Sequence, residues 1–386
     1  MAARQRHSWW GLAVVVALAA ACKNSTGPQA QLADPRGLST DLQTVSGVLQ
    51  AGVLRSFGLV DTAAGSPATV ATPAGALLRT APFTTLRTAG QPSTDAPRRL
   101  QALRLAAGAL GSGINASVIP PQYLGQTFVW DDATHKYVVG PDAGPSTGVR
   151  IILYAIDPST GSVAEPSNAV GFVDLLDQST TNPDVNKLHV IVKDGTPASP
   201  GPITYADYTV SGSVTGSPAT AFSASAVGFV SDGTHALAFN ATFSATNLTT
   251  DNPDAQIDVT WDLDNPAIHV ELHETVATSD ANHLTVTVNF SVTRGTETVA
   301  VTGTITEVLS PLTVTADLTI TVNGVAYARL TGTATATTST IQIVHADGSA
   351  LVGPEVQAVT DLFDLPVEIE TAVGTLFSPC EHLMGA

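Results

Sequence analysis

The chain has 386 residues, which is enough for one large domain or two modest ones with a well-buried core. Aromatic residues make up 5% of it, charged residues make up 13%, and the formal net charge at pH 7 is −17. From residue 105 onward 29 acidic side chains face six basic ones; because such a surface repels nucleic acid, nucleic acid is excluded as a partner.

The first 21 residues predict a secretory signal peptide. Arg4 and Arg6 precede an apolar run from Gly11 to Ala21, which carries no charge and is too short to span a bilayer. Small residues close the run directly before Cys22. A polar stretch follows over residues 23–31, as expected of a linker between an anchor and a folded body.

The sequence Leu18-Ala19-Ala20-Ala21-Cys22 resembles the bacterial lipobox, although its leucine stands four residues before the cysteine instead of three. The resemblance covers only the first 22 residues. It implies cleavage before Cys22, lipidation of the Cys22 thiol and a lipidated tether over residues 22–36. Because Lys23 rather than aspartate follows the cysteine, it also implies sorting to the outer membrane. The alternative is an ordinary secretory signal with a chance cysteine.

The next segment, residues 37–118, is predicted to be helical with a flexible excursion. Thr40-Asp41-Leu42-Gln43 has the form of a capping box, and apolar residues then recur at helical spacing, which predicts a helix over 40–58. Residues 61–97 are rich in Ala, Thr, Pro and Gly and are expected to be flexible. A second helix is predicted over 98–110.

From Thr127 apolar residues alternate with polar ones, which predicts strands. Residues 127–130 and 136–139 flank a turn, as in a hairpin. Turn sequences such as Asn323-Gly324 separate many of the segments that follow. Further strands are predicted over 149–156, 170–176, 187–193, 203–214, 221–231, 235–245, 256–263, 268–276, 284–293, 298–308, 313–322, 325–334 and 340–345.

The predicted fold is mainly β with a few helices (α+β), built on a β body over residues 119–353. Short connections cannot make parallel crossovers, so the strands are expected to form one large, curved antiparallel meander. One side of each strand is apolar and needs cover, which we expect from the N-terminal helices and a C-terminal helical segment over 354–386. That segment starts at Gly353-Pro354-Glu355 and carries Val356, Val359, Leu362 and Phe363 on one side before Pro366.

The chain contains two cysteines. If Cys22 is lipidated, Cys380 has no partner within the chain, and stability must come from packing. Cys380 lies beside Pro379 and outside any C-x-x-C motif, which favours an inert thiol over a reactive one.

The one suggestive chemical cluster is His269-Val270-Glu271-Leu272-His273, a weak candidate for a metal site. Its alternating pattern predicts a strand, where the two histidine Cα atoms are about 13.6 Å apart and reach a single zinc ion only with difficulty. Pairing through the turn at 264–267 places Asp262 opposite His269 and Asp258 opposite His273. Cross-strand pairs on a solvated face explain these residues without a metal, and no metal or cofactor is predicted.

Two further acidic groups lie in turns or at strand ends. Asp131, Asp132 and His135 belong to the first hairpin turn, and Asp174 and Asp177 end a later strand. Turn aspartates mainly accept hydrogen bonds from local backbone amides, and a calcium-binding or catalytic role is the alternative.

Three functions remain open from the sequence. The favoured one is a non-enzymatic envelope lipoprotein that acts as a scaffold for an envelope protein or as a cradle for an apolar ligand such as a lipid. The second is an enzyme with residues dispersed over loops, since no catalytic motif is present and no catalytic residue is predicted. The third is a transmembrane β-barrel, which shares strands of about ten residues with alternating faces.

Overall fold

The computed structural model describes residues 30–48, 53, 56, 119, 121–181, 184–216, 220–250, 252–280, 282–335 and 337–365. The predicted signal peptide, Cys22, the excursion over 61–97, the helix over 98–110 and Cys380 lie outside the described residues. The predictions made for them stay predictions.

In the described part of the chain, sixteen strands form one mostly antiparallel sheet, and two helices flank it in sequence. The helices are α1 (Pro35–Val48) and α2 (353–365). The strands are β1 (Gln126–Asp131), β2 (Lys136–Ala143), β3 (Gly148–Tyr154), β4 (Ala169–Asp177), β5 (Thr180–Thr181), β6 (Asp184–Thr196), β7 (Ser199–Thr215), β8 (Ala221–Ser231), β9 (Ala236–Thr246), β10 (Asp254–Leu263), β11 (Ile268–Asp280), β12 (His283–Arg294), β13 (Glu297–Leu309), β14 (Leu312–Val322), β15 (Val325–Thr335) and β16 (Gln342–His345).

From β6 to β16 every strand pairs antiparallel with the next, and the sheet is open, with β2 at one edge and β16 at the other. The predicted β class and the meander over this region are therefore confirmed. Short turns with Gly, Asn and Asp separate the strands, as the sequence indicated. The two-residue strand β5, which pairs with β6, was not predicted.

The meander prediction is wrong at one place, because β1 and β3 are parallel neighbours. The connection over 144–147 passes around the start of β1, where Gly144 N donates to Gly125 O and Gly125 N donates to Gly148 O. The connection passes a single strand, so the ends of β2 and β3 that it joins are about 10 Å apart. Four extended residues span about 13 Å, which is enough for this path. Gly144 permits this path, since a Cβ there would lie 2.1 Å from the carbonyl oxygen of Gln126.

Alternation places the apolar side chains of the central strands on one buried face. In β12 the buried residues are Leu284, Val286, Val288, Phe290 and Val292, and the residues between them are exposed or half-buried. Strand β9 repeats the pattern. Buried apolar side chains of α1, α2 and the strands belong to one continuous core.

Helix α1 starts earlier than predicted, at Pro35 instead of residue 40. Asp34 is the N-cap, since its Oδ1 accepts a hydrogen bond from Gly37 N at 3.0 Å, and Pro35 suits the first helical position. Thr40 instead lies inside the helix and donates to the Arg36 carbonyl oxygen. Asp34-Pro35 was therefore a stronger signal for the start of the helix than the capping box predicted at Thr40.

Helix α2 begins at Gly353, as predicted from Gly353-Pro354-Glu355. Val359, Leu362 and Phe363 are buried, but Val356 is 40% exposed and does not belong to the packed side. Within the described part of the chain, neither helix is long and apolar enough to cross a membrane.

Candidate functional site

The cluster around His269 and His273 lies on the outward, polar face of the sheet. Ile268, Val270 and Leu272 are buried in β11, and the two histidines occupy alternate positions on the other face. Asp262 is the register partner of His269, and Asp258 is that of His273, so the predicted pairing of β10 with β11 is confirmed.

Each histidine contacts the carboxylate opposite it. His269 Nδ1 donates to Asp262 Oδ1 at 2.6 Å, and its Nε2 lies 3.1 Å from Glu271 Oε1. Both ring nitrogens thus face carboxylates, an arrangement that suits the doubly protonated imidazolium. The hydrogen bond to Asp262, followed by the one to Glu271, raises the pKa of His269. His273 Nδ1 lies 2.5 Å from Asp258 Oδ1.

The pKa of Asp258 is lowered in this pair. Partial burial of the Asp258 carboxylate acts to raise the pKa, but hydrogen bonds from His273 and Gln256 outweigh that effect. Among the residues that the structure describes, no three His, Cys, Asp or Glu side chains form a group that could hold a metal ion. The arrangement is a row of histidine–carboxylate pairs on a solvated strand.

Replacing His269 with glutamine is expected to destabilise the protein more at acidic pH than at alkaline pH. Because the folded-state pKa of His269 is raised, its stabilising effect is full below the unfolded value of about 6.5 and fades as pH rises through the folded value. His269 is 40% exposed, so solvent screening limits the effect to about 1 kcal/mol or less. Urea unfolding at pH 5.5 and pH 8.5 measures it, and a larger loss at pH 8.5 would contradict the ion-pair account.

The pairing of histidine with carboxylate extends over the whole described part of the chain. All seven histidines there have a carboxylate oxygen within 3.2 Å. The pairs are His135–Glu165, His189–Asp207, His235–Asp232, His269–Asp262, His273–Asp258, His283–Asp280 and His345–Glu355. They are dispersed along the sheet and its turns, so they make local contacts and do not converge on one centre.

The most enclosed of these pairs joins β15, β16 and α2. His345 Nε2 lies 3.2 Å from Glu355 Oε2, and the His345 ring meets the buried Tyr327 ring edge-on, with centroids 5.1 Å apart. Burial, and then the nearby Glu355 carboxylate, raise the pKa of Tyr327, which keeps its hydroxyl protonated. Glu355 also accepts a hydrogen bond from Val352 N, so it caps the first turn of α2.

This cluster was not predicted, because its members are far apart in sequence and belong to three elements. The only sequence signal was the acidic residue in the first turn of α2. A neutral hydroxyl, an imidazole and a carboxylate are groups that acid–base catalysis uses. Here the same contacts attach the start of α2 to the sheet edge, so they have a structural role.

Asp131 and Asp177 act locally, as the sequence indicated, whereas Asp132 contacts a residue 35 positions away. Asp131 accepts hydrogen bonds from Ala133 N and Thr134 Oγ1. Asp132 accepts from Ser167, and Asp177 accepts from the Ser179 amide.

Asp174 instead forms a bidentate ion pair with Arg150 across β3 and β4. Arg150 Nε donates to Asp174 Oδ1 at 2.6 Å, and Arg150 Nη2 donates to Asp174 Oδ2 at 2.7 Å. The Arg150 guanidinium also lies 4.8 Å from the Phe172 ring centroid. Planar pairing of this kind holds neighbouring strands in register.

A second set of contacts fixes the N-terminal segment at one end of the sheet, near the turn between β12 and β13. Ala33 N donates to the buried Glu297 Oε1 at 2.7 Å. Arg294 Nε lies 3.1 Å from Asp41 Oδ2, and its Nη1 donates to the Asp34 carbonyl oxygen at 3.1 Å. The start of α1 is therefore held by residues about 260 positions away in sequence.

Comparisons with models of known families, with curated proteins and with solved structures returned no match.

Proposed function

We propose that this protein is a non-enzymatic envelope lipoprotein, anchored through lipid on Cys22, whose curved sheet is a scaffold for other envelope components. The proposed location is the outer membrane. The observation that carries the proposal is the fixed position of the N-terminal segment. Glu297 and Arg294 hold residues 33–41 at one end of the sheet, so the chain leads from a defined point of the β body toward Cys22.

The curvature of the sheet is supported by glycines inside strands. Gly228, Gly303 and Gly332 have φ between 138° and 152°, and a Cβ at each would lie within 2.5 Å of a backbone oxygen, in a neighbouring strand for Gly228 and Gly303 and just before β16 for Gly332. Glycines at such close approaches are typical of places where an antiparallel sheet bends. Three of them in three different strands favour a sheet that wraps around its apolar face.

We further propose that α1 and α2 cover that apolar face. Helix α1 buries Leu38, Leu42 and Val45, each at most 2% exposed. Helix α2 contacts it through Asp361, which accepts hydrogen bonds from Ser39 and Gln43. Two helices joined in this way cover more of the sheet than either could alone.

A scaffold fits the inner face better than an apolar-ligand cradle does. Apolar residues of this face, such as Val288 and Phe290, are already buried by the chain itself. Two carboxylates also belong to it, since Glu274 and Glu307 are at most 1% exposed. These carboxylates make the face less apolar than a cradle for an apolar ligand needs.

Mass spectrometry of protein purified from native membranes tests the proposal. We expect the mature chain to begin at Cys22 and its N-terminal peptide to carry diacylglyceryl and acyl groups. An unmodified N-terminus elsewhere would exclude the lipid anchor. Solvent extraction of the same sample separates scaffold from cradle, because a cradle would release a lipid in a fixed ratio to the protein.

A further inference from the structure

The attachment of the N-terminal segment also determines which part of the sheet can reach the membrane. In the meander, the β12–β13 and β14–β15 turns lie at one end of the sheet, and the β11–β12 and β13–β14 turns lie at the other. We name the first the anchor end and the second the far end. Ala33 and Asp34 are bonded at the anchor end, to Glu297 and Arg294.

The length of the tether influences which end of the sheet lies at the membrane. Eleven residues lead from Cys22 to Ala33, the first residue bonded at the anchor end, and a fully extended chain of that length spans about 36 to 40 Å. Strand β12 has 12 residues, so the far end lies about 40 Å beyond the anchor end. Only a fully extended tether would match the length of the strand, so a lipid on Cys22 favours the anchor end over the far end at the membrane surface.

Exposed apolar side chains concentrate at one corner of the anchor end. Val325 starts β15 and is 48% exposed; Val352 and Val356, at the start of α2, are 63% and 40% exposed. The Tyr327–His345–Glu355 contacts bring these two starts together. These are three of the six large apolar side chains that are exposed in the described part of the chain.

The broad outer face of the sheet is less suited to a lipid surface. It carries Asp258, Asp262 and Glu271 beside its histidines, and anionic lipids repel such a face at neutral pH. Asp232 and Asp264 lie in other turns of the anchor end. Contact with lipid through Val325, Val352 and Val356 therefore requires the body to tilt, so that these acidic turns are held off the membrane.

We propose that the valine corner, Val325, Val352 and Val356, rests on the lipid surface, with the far end directed away from the membrane. The inference rests on the proposed lipid anchor. Exposed apolar side chains beside an acylated cysteine add a second, short-range attachment, which orients the body without holding it on the membrane. The far-end turns are then the surface presented to a partner.

Energy transfer on the acylated full chain tests the orientation. With Cys380→Ser in the background, a dye is attached at Thr296→Cys, in the anchor-end turn after β12, or at Asn282→Cys, in the far-end turn before it. The protein is reconstituted in vesicles of phosphatidylethanolamine with a minor fraction of phosphatidylglycerol and an acceptor on the headgroups. We expect severalfold stronger transfer from position 296. Equal transfer, or stronger transfer from position 282, would overturn the orientation.

Two triple variants test the valine corner. Val325→Ser, Val352→Ser and Val356→Ser together are expected to lower the transfer from position 296 while the protein stays on the vesicles. The matched control changes the other exposed valines, Val138, Val139 and Val227, and should leave the transfer unchanged. Equal effects of the two triples would exclude the valine contact. Failure of the lipid anchor is distinguishable, because the protein would then carry no acyl group.

Discussion

Replacing Cys22 with serine is expected to abolish labelling by fatty acid and to remove the protein from the outer-membrane fraction. The serine hydroxyl cannot form the thioether on which acylation depends. An uncleaved signal peptide could still hold the variant at the inner membrane, so acyl labelling is the primary measurement and membrane separation is the second. The folded β body should be unaffected, as circular dichroism of the solubilised variant would check.

The second cysteine of the chain provides the matched control. Cys380→Ser removes a thiol of the same type, and we expect normal labelling and normal retention. Labelling that persists in Cys22→Ser, or that disappears in Cys380→Ser, would contradict the lipobox interpretation. A Cys22→Ser protein that loses its label but stays in the outer membrane would show that something other than lipid holds it there.

Replacing Gly303 with alanine is expected to lower the free energy of unfolding by about 3 kcal/mol. Gly303 has a φ of 146°, and its Cβ would lie 2.1 Å from the Asp317 carbonyl oxygen in the neighbouring strand. The contact is with backbone, so no side-chain rotation relieves it. Relief requires separation of β13 from β14 in the middle of the sheet. Urea unfolding at neutral pH measures the loss.

Gly47 is the control, because it is exposed in α1 and a Cβ there meets nothing within 4 Å. Alanine at this position should leave stability unchanged or raise it by up to about 1 kcal/mol, since alanine restricts the unfolded chain and favours helix. If Gly303→Ala unfolds at the same urea concentration as the native chain, the backbone has room at β13, and the argument for a bend there is lost.

Strands and their register were the most predictable part of this protein. Strand β12 was predicted over 284–293 and runs from His283 to Arg294, because apolar and polar residues alternate and the turns at both ends are marked. The pairing of Asp262 with His269 followed from a four-residue turn, since turn length determines which residues of a hairpin face each other.

The errors occurred where two local signals compete or where separate parts of the chain meet. The start of α1 depends on Asp34 and Pro35, which the predicted capping box six residues later obscured. The parallel neighbour of β1 depends on a path around a strand end, which local pattern does not specify. Val356 lies one helical turn before the buried Val359, yet its side chain is 40% exposed.

The sequence by itself determined the β class, the location of most strands and most of the antiparallel order, because these depend on side-chain alternation and turn chemistry within a few residues; several strands, such as β6 and β7, are longer than predicted. Its first 22 residues also predict a lipid anchor, and this stays a prediction. Only the tertiary structure decided which residues meet across the chain. Glu297 and Arg294 hold the N-terminal segment from about 260 positions away, and Tyr327, His345 and Glu355 assemble from three elements. Such contacts form only when the whole sheet is paired, so no local pattern specifies them.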